Sequence, residues 1–219
     1  MIFCFSFLSF VSIAKMQFLS TCLTESIELQ KKIIRAEKQL FLLNPVSTTL
    51  QTQLAVATAE LAVATASGNA PAVAKALASL AKIRSDQLKL SQLQSSIILS
   101  TNAFIKIGNA VILNKIQTQT FQTSQSWFIY FKVFFSVRSG QATEMAIQPQ
   151  TSGLAPNYEL KPTYKANQTV AYHWQLKYFT KNESQKLLNS QNSFLLSCGT
   201  IPERKADTWS VEIQKDRYY

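Results

Sequence analysis

A chain of 219 residues can form one ordinary domain or two small ones. Its hydrophobic content of 47% is too high for a disordered chain, and its 16% of charged residues is too high for a protein with many membrane spans. The net charge of +10 is spread along the chain without a basic run, which favours a generally positive surface over a dedicated patch for nucleic acid or anionic lipid.

Residues 1–24 predict an N-terminal apolar anchor helix. Sixteen of these residues are apolar and Lys15 is their one charge, while a membrane-spanning helix needs about 20 mostly apolar residues. Two alternatives stay open. Ser12-Ile13-Ala14 places small residues where signal peptidase cleaves, which would indicate a signal peptide. The segment would also fit the buried end of a soluble helix.

The charges around this segment leave the membrane orientation open. A central lysine costs about 2.5–3.5 kcal/mol on insertion, so Lys15 has to reach an interface for the segment to insert well. Basic residues follow at positions 31, 32, 35 and 38, which taken alone would place that side in the cytoplasm. Because no basic stretch precedes the apolar run, we expect the native chain to start upstream of Met1.

The segment after the anchor predicts an amphipathic helix over residues 25–43. Its apolar residues follow two neighbouring rows at helical spacing: Ile27, Ile34 and Phe41, and Ile33 and Leu40. Asn44-Pro45 ends this helix, because proline disfavours helical geometry at the residue before it.

A short internal repeat comes next. The sequence LAVATA occurs at residues 54–59 and again at 61–66, which puts Leu54 and Leu61 on one helical stripe. Small alanine and threonine side chains permit close approach of a neighbouring helix. Packing inside a helical hairpin is favoured over a contact between molecules.

A third helix is predicted over residues 71–117, after a turn in which Gly68 suits a helix C-terminus and Pro71 a first turn. Two rows of apolar residues repeat at sevens: Ile83, Leu90, Ile97, Phe104 and Val111, and beside them Ile98, Ile105 and Ile112. Such rows predict burial in coiled-coil-like packing, although Gln87, Gln94, Thr101 and Gly108 make the seam imperfect. Since residues 25–66 are too short to cover this helix, we expect self-association or a partner helix along residues 83–112.

Residues 121–219 predict a small antiparallel β domain. Strands are expected at 127–137, 142–148, 168–180, 194–198 and 209–213, with an ordered loop at 149–163. The fold class is therefore α+β: an anchor over 1–24, a helical hairpin or three-helix coiled-coil-like unit over 25–120, and the β-rich domain over 121–219.

The sequence contains no constellation typical of an active site. With His173 as the one histidine and no C-x-x-C pair, a zinc site, a disulfide framework and a Ser-His-Asp array are all disfavoured. Glu25, Glu28 and Glu37 lie at helical spacing from Lys31, Lys32 and Lys38 and are expected to form surface ion pairs. We therefore expect no enzyme activity, no catalytic residue, no metal, no cofactor and no small-molecule substrate.

An aromatic and basic strand face is the one pattern that suggests nucleic acid. It would consist of Tyr172, Trp174, Tyr178, Lys177 and Lys181. A β core is the favoured interpretation of these aromatic residues, with His173 on the opposite, exposed face. Nucleic acid is accordingly not expected as a partner.

The middle of the chain resembles a known family. Residues 145–160 read MAIQPQTSGLAPNYEL and residues 168–178 read QTVAYHWQLKY, after a hairpin that contains LNP and SGNAPAV. In these motifs the chain resembles the TadE/TadG-type pilin-like proteins associated with tight-adherence pili. It departs from the pilin pattern because no G-[FQ]-T-L-x-E signature precedes the apolar segment, so pilin-type processing is not implied.

The resemblance implies an inner-membrane anchor with the C-terminal domain facing outward, in the periplasm or at the cell surface. The implied function is a membrane-anchored pilin-like or pseudopilin structural subunit of a bacterial envelope appendage or secretion apparatus. The alternatives are a periplasmic adaptor of a secretion or efflux machine and a basic, soluble nucleic-acid-binding protein. In adaptors a β segment usually precedes the hairpin, whereas here the anchor leads straight into helix, which favours the pilin-like function.

Overall fold

The computed structural model describes residues 2–125, 132–140, 144–179, 193–205 and 208–214. Over these residues the chain is mostly helical, with a long N-terminal helix and a small antiparallel sheet, in agreement with the α+β class. The helices are α1 (Ile2–Leu42), α2 (Asn44–Ala66), α3 (Ala70–Gln125) and α4 (Tyr164–Gln168). The strands are β1 (Lys132–Gly140), β2 (Ile147–Pro149), β3 (Tyr158–Leu160), β4 (Val170–Phe179), β5 (Ser193–Lys205) and β6 (Thr208–Gln214).

The helix ends follow the punctuation in the sequence. The helix α1 ends just before Asn44, and Pro45 lies in the first turn of α2, where its missing N–H costs nothing. Between α2 and α3, Gly68 adopts a φ of +65° and Asn69 caps α3 by accepting the amide of Ala72 at 3.2 Å. The helix α3 continues to Gln125, beyond its predicted end at residue 117.

Four strands form one antiparallel sheet in the order β1-β4-β5-β6. Trp174 of β4 lies at its centre and faces Val137 of β1 and Leu196 of β5. The strands β4, β5 and β6 fall where strands were predicted, whereas the strand predicted at 127–137 begins at Lys132, and residues 126–131 lie outside the described residues. The strand predicted at 142–148 overlaps β2 at Ile147 and Gln148, and its residues 142–143 lie outside the described residues. The strand β3 lies inside the predicted loop at 149–163 and pairs with β2 in a separate ribbon. The short helix α4 was not predicted.

The chain divides into two compact units that are discontinuous in sequence. The first unit consists of Met1–Ile34, Phe104–Glu144 and Lys165–Tyr219, and the second of Arg35–Ala103 and Met145–Tyr164. Both α1 and α3 contribute to each unit. The units therefore interleave along the chain, whereas the predicted segments 1–24, 25–120 and 121–219 follow one another.

In the first unit α1 and α3 run antiparallel. The hydroxyl of Thr21 donates to Gln119 Oε1 at 2.7 Å, and Lys32 lies 4.7 Å from the ring centroid of Phe104. As residue numbers increase along α1, the numbers of the residues they contact on α3 decrease. Gly108 permits a close approach, because a Cβ there would lie 2.8 Å from a terminal carbon of Leu29.

The same part of α1 is bound to the sheet. Phe18 stacks on Trp174 with ring centroids 5.9 Å apart, and Cys22 forms a disulfide with Cys198 of β5. Further along, Gln30 Nε2 donates to the carbonyl oxygen of Gln168. Phe10, eight residues before Phe18 on the same helix, is also buried. One side of the predicted anchor is therefore covered by protein from residue 10 onwards.

In the second unit the segment between β2 and β3 joins α2 to α3. Ser47 Oγ donates to the carbonyl oxygen of Ala155, and Gln94 Nε2 donates to that of Pro156 at 2.9 Å. Ser47 lies near the start of α2 and Gln94 near the middle of α3, on either side of a short turn. Since both reach adjacent peptide groups, α2 and the first half of α3 run antiparallel.

Candidate functional site

The apolar rows of α3 were the main candidate for an assembly surface, and the structure separates their members. Leu90, Ile105 and Ile112 are buried, Ile83, Ile97, Ile98 and Phe104 are half-buried, and Val111 is exposed. The expected burial is therefore wrong for Val111. Seven residues fall short of two full turns, so a row at sevens drifts about 20° round the helix at each step and leaves the buried side.

Polar residues occupy the buried side of α3 where apolar ones were expected. Gln87, Gln94 and Thr101 are 3%, 1% and 8% exposed. Gln94 binds the carbonyl of Pro156, and the Thr101 hydroxyl donates to the carbonyl of Ile97 at 2.7 Å. Their seven-residue interval had placed them on the seam, where their polarity made the predicted packing imperfect. The buried line runs through these polar residues and then crosses to Ile105 and Ile112.

In each of the two LAVATA segments, one alanine is buried in the protein. Ala57 and Ala64, one from each copy, are buried, whereas Leu54 and Leu61 are half-buried. Val63 points outward with 70% of its surface exposed. The stripe through Leu54 and Leu61 therefore borders the buried face and does not form its centre.

A stripe of exposed leucines remains on α3 within the second unit. Leu77, Leu88 and Leu99 are 51%, 49% and 69% exposed. They recur at an interval of eleven residues, which closes about three helical turns and keeps them on one side of the helix. This leucine stripe, Leu77, Leu88 and Leu99, lies on a different side of α3 from the predicted heptad rows.

Glu37 is the most strongly perturbed acid among the described residues. It is fully buried in the second unit, where the Tyr164 hydroxyl donates to its Oε2 at 2.7 Å. Burial raises its pKa to about 7, and the hydrogen bond from Tyr164 offsets part of that rise. The prediction of a surface ion pair is therefore wrong for Glu37.

The two other acidic residues of α1, Glu25 and Glu28, were also expected to pair with lysines of the same helix. Glu25 instead forms an ion pair with Lys115 of α3. That pair joins two helices that are distant in sequence, so helical spacing within α1 carried no signal for it. Glu28 is exposed.

Cys22 and Cys198 form a disulfide that the sequence did not reveal. The two residues are 176 positions apart, and their sulfur atoms are buried between α1 and β5. The expectation that no disulfide framework exists has to be corrected to one long-range bridge. Spacing along the chain could not indicate it, because the pairing depends on the antiparallel sheet that brings β5 beside α1.

Two aromatic residues of β4, Tyr172 and Trp174, are core residues, as favoured. Tyr172 and Trp174 are fully buried and His173 is exposed. The Tyr172 hydroxyl donates to Asn109 Oδ1 at 3.0 Å, and burial raises the pKa of this phenol above its ordinary value. They cannot stack on nucleic-acid bases while buried. The remaining members of that predicted face, Lys177, Tyr178 and Lys181, lie where no side chain is described.

Grooves along the α1–α3 pair of the first unit hold little reactive chemistry. One groove of about 760 Å³ is lined by neutral side chains such as Met16, Gln17 and Gln119. Within the described residues, no three histidine, cysteine, aspartate or glutamate side chains are grouped as a metal site requires.

Within the described residues, α3 is long and apolar enough to cross a membrane over Ala70–Gln122. Its most apolar window has a mean hydropathy of 1.5, with 22% of that window buried in the protein. By length and composition the chain therefore has a candidate membrane-spanning helix. No family model matches the chain, and no curated protein or solved structure is detectably similar to it.

Proposed function

We propose that this chain is a membrane-anchored, pilin-like or pseudopilin structural subunit of a bacterial envelope appendage or secretion apparatus, with its sheet outside the cytoplasm. The observation that carries the proposal is the disulfide-bonded packing of α1 on the sheet, through Cys22–Cys198 and Phe18 on Trp174. A long apolar N-terminal helix that serves as the spine of an antiparallel sheet suits a subunit that is anchored and then packed into an assembly.

The disulfide supports export of the sheet. Disulfides form and persist in oxidising compartments, such as the periplasm and the cell surface, and are rare in the cytosol. Both cysteines are almost fully buried, Cys198 being 3% exposed. This favours the outward orientation over the one that the basic residues after the anchor would indicate by themselves.

Beyond its first turns, the proposed anchor helix contacts the rest of the protein on one side and is exposed on the other. Phe10, Phe18 and Cys22 face the protein, while Ile13 and Met16 are 51% and 70% exposed. Lipid or a neighbouring subunit is therefore assigned to the outer side of α1 and to the residues that precede Phe10.

The leucine stripe supports assembly through helices. Leu77, Leu88 and Leu99 expose about half or more of their surface on one side of α3, and each offers an apolar contact point to a neighbouring helix. We place the self-association or partner-helix contact expected along residues 83–112 on this stripe. The buried face of the same helix is already occupied.

A periplasmic adaptor is the second candidate, and one observation favours it. The helices α2 and α3 run antiparallel from the turn at residues 67–69, and they bear exposed apolar residues such as Val63. Adaptors use such hairpins for docking on a partner. The direct continuation of α1 into the hairpin keeps the pilin-like subunit as the preferred function.

The test is membrane fractionation combined with thiol trapping on the full-length protein in bacteria. Cells are quenched in acid, and free thiols are labelled with a maleimide polymer before and after reduction. We expect the protein in the membrane fraction, with one reactive cysteine before reduction and three after it, since Cys4 is not part of the bridge. The control variant Cys22→Ser should show two reactive cysteines before reduction.

Two outcomes contradict the proposal in different ways. Full-length protein that stays in the soluble fraction without detergent would show that there is no anchor. Three reactive cysteines without reduction in cells would show that the sheet is in a reducing compartment, which contradicts the outward orientation.

A further inference from the structure

We infer that one end of the first unit, here called the apolar pole, sits directly on an anionic lipid surface through the start of α1, the end of α3 and the adjoining strand ends. This inference rests on the proposed membrane attachment and assigns it a partner and a set of contacts. It replaces a single spanning helix with a contact made by several segments that are distant in sequence.

The helices bring two of these segments together. In the first unit Thr21 bonds to Gln119 and Glu25 pairs with Lys115, so α1 and α3 are antiparallel in a fixed register. The residues of α1 that precede Thr21 therefore lie beside the residues of α3 that follow Gln119. The start of α1 and the end of α3 are at the same end of the unit.

The sheet brings its strand ends to the same place. Along α1, Gln30 contacts Gln168 and Phe18 contacts Trp174, so β4 advances towards the start of α1 as its numbers rise. The last residue of β4, Phe179, pairs with the first residue of β1, Lys132. Ser193, which begins β5, pairs with Lys177 of β4. The start of β1, the end of β4 and the start of β5 thus adjoin the two helix ends.

The charge of this end is unusual for a protein surface in water. Residues 2–14 and 116–125 contain no charged residue. The strand ends at 132–135, 176–179 and 193–196 add Lys132 and Lys177 and no acid. Charged residues make up about a quarter of an ordinary soluble domain. Within these described residues the end has no acid and its charges are lysines, which repel cationic partners and are complementary to anionic headgroups.

The apolar content of the pole supplies the rest of the attraction. Ile13, Met16 and Phe121 are 51%, 70% and 61% exposed. Aromatic and aliphatic side chains enter the boundary between headgroups and acyl chains, while nearby lysines reach the phosphates. Each lysine near an anionic surface adds about 1 kcal/mol of attraction. Along α1 the first acid is Glu25, which lies beyond this end.

The test measures how deeply two matched positions of α3 enter the bilayer. Phe121 and Ile107 are both exposed, at 61% and 63%, and both belong to the first unit. Phe121→Cys and Ile107→Cys are made separately in the full-length chain carrying Cys4→Ser, and each is labelled with an environment-sensitive fluorophore. The proteins are reconstituted into vesicles of phosphatidylcholine, with or without phosphatidylglycerol, that contain a nitroxide-labelled lipid quencher.

We expect the label at position 121 to lose most of its fluorescence in the phosphatidylglycerol vesicles and the label at 107 to lose little. Added salt should reduce the quenching at 121, because it screens the lysines. Vesicle flotation is measured on the same samples, so that attachment is scored separately from depth.

Each other outcome overturns a definite part of the inference. Flotation with vesicles but quenching at neither position leaves the anchor in place and overturns the lipid-seated pole. Equal quenching at 121 and 107 overturns it in favour of immersion of the whole helix. Equal quenching in neutral and anionic vesicles overturns the assignment of an anionic partner. Failure to float at all would contradict the proposed membrane attachment itself. Protection of position 121 by oligomerisation, without quenching, would assign the pole to a second copy of the chain.

Discussion

Glu37 links the stability of the second unit to pH. Its pKa is raised from 4.5 to about 7 by burial, so the folded protein binds more protons than the unfolded chain between these two values. The free energy of unfolding therefore falls as pH rises through that window, by about 3 kcal/mol if Glu37 acts alone. We expect Glu37→Gln to remove most of this loss and to raise the melting temperature at pH 8 relative to wild type. Thermal unfolding in detergent from pH 5 to pH 8 measures it.

The control is Glu28→Gln, which neutralises an exposed acid of the same helix. It should leave the difference in melting temperature between pH 5 and pH 8 as in wild type. If Glu37→Gln shows the same pH dependence as Glu28→Gln, the Glu37 carboxyl does not titrate in a buried site.

Single residues show what the sequence could and could not predict. The alternation along β4 correctly put Tyr172 and Trp174 in the core and His173 outside, because a strand has a fixed two-residue period. The burial of Glu37 and the disulfide of Cys22 were not predicted, because their partners, Tyr164 and Cys198, are remote in sequence. A local pattern reports on neighbours along one element and carries no information on which other element will cover it.

At the level of the element, the existence of the helices was predictable, and the side that each buries was predictable only in part. The signals at Asn44-Pro45 and at Gly68 and Pro71 predicted the end of α1 and the start of α3 to within a few residues. The burial predicted for the rows of α3 is wrong for Val111, because a seven-residue row rotates steadily on a straight helix. The polar residues Gln87 and Gln94 are buried on this helix, and the partner of Gln94 is the carbonyl of Pro156, which is remote in sequence.

The two faces of α3 make opposite predictions for the same substitution. Leu90 is 7% exposed and Leu99 is 69% exposed. We expect Leu90→Asp to lower the melting temperature strongly, because it buries an unpaired charge and costs several kcal/mol. Leu99→Asp should leave the melting temperature nearly unchanged but reduce self-association, measured by light scattering of the full chain in detergent across concentration.

The comparison separates stability from assembly on the leucine stripe. If Leu99→Asp leaves the oligomer intact while the protein stays folded, the stripe is not the contact surface. If Leu90→Asp melts like wild type, the burial assigned to α3 in the second unit is incorrect.

For the whole molecule, the two compact units are interleaved because α1 and α3 serve both. Predicting segments in chain order is natural when each element is considered alone. The first unit contains Met1–Ile34 together with the sheet, however, because the apolar start of α1 supplies one side of the sheet's core. Residues that are apolar enough for a membrane are equally suited to a protein interior. Composition alone does not distinguish the two environments.

Deletion of residues 1–24 separates an independent anchor from a structural spine. The deletion removes the disulfide at Cys22 and the Phe18 ring that stacks on Trp174. A buried phenylalanine is worth about 3–5 kcal/mol, and a long-range disulfide about 2–5 kcal/mol, which together rival the whole stability of an ordinary domain. We therefore expect the shortened chain, residues 25–219, to lose amide protection in β4 and β5 while residues 145–164 of the second unit keep theirs.

Hydrogen exchange with mass spectrometry measures amide protection in both units in one sample. The variant Cys22→Ser in the full-length chain isolates the contribution of the disulfide. That variant should weaken protection in β5 without abolishing it, because Phe18 and Gln30 still hold α1 against the sheet unit. Full protection of β4 and β5 in the shortened chain would mean that residues 1–24 are a separable anchor. Loss of protection confined to the sheet would mean that α1 has to be in place before the sheet is stable.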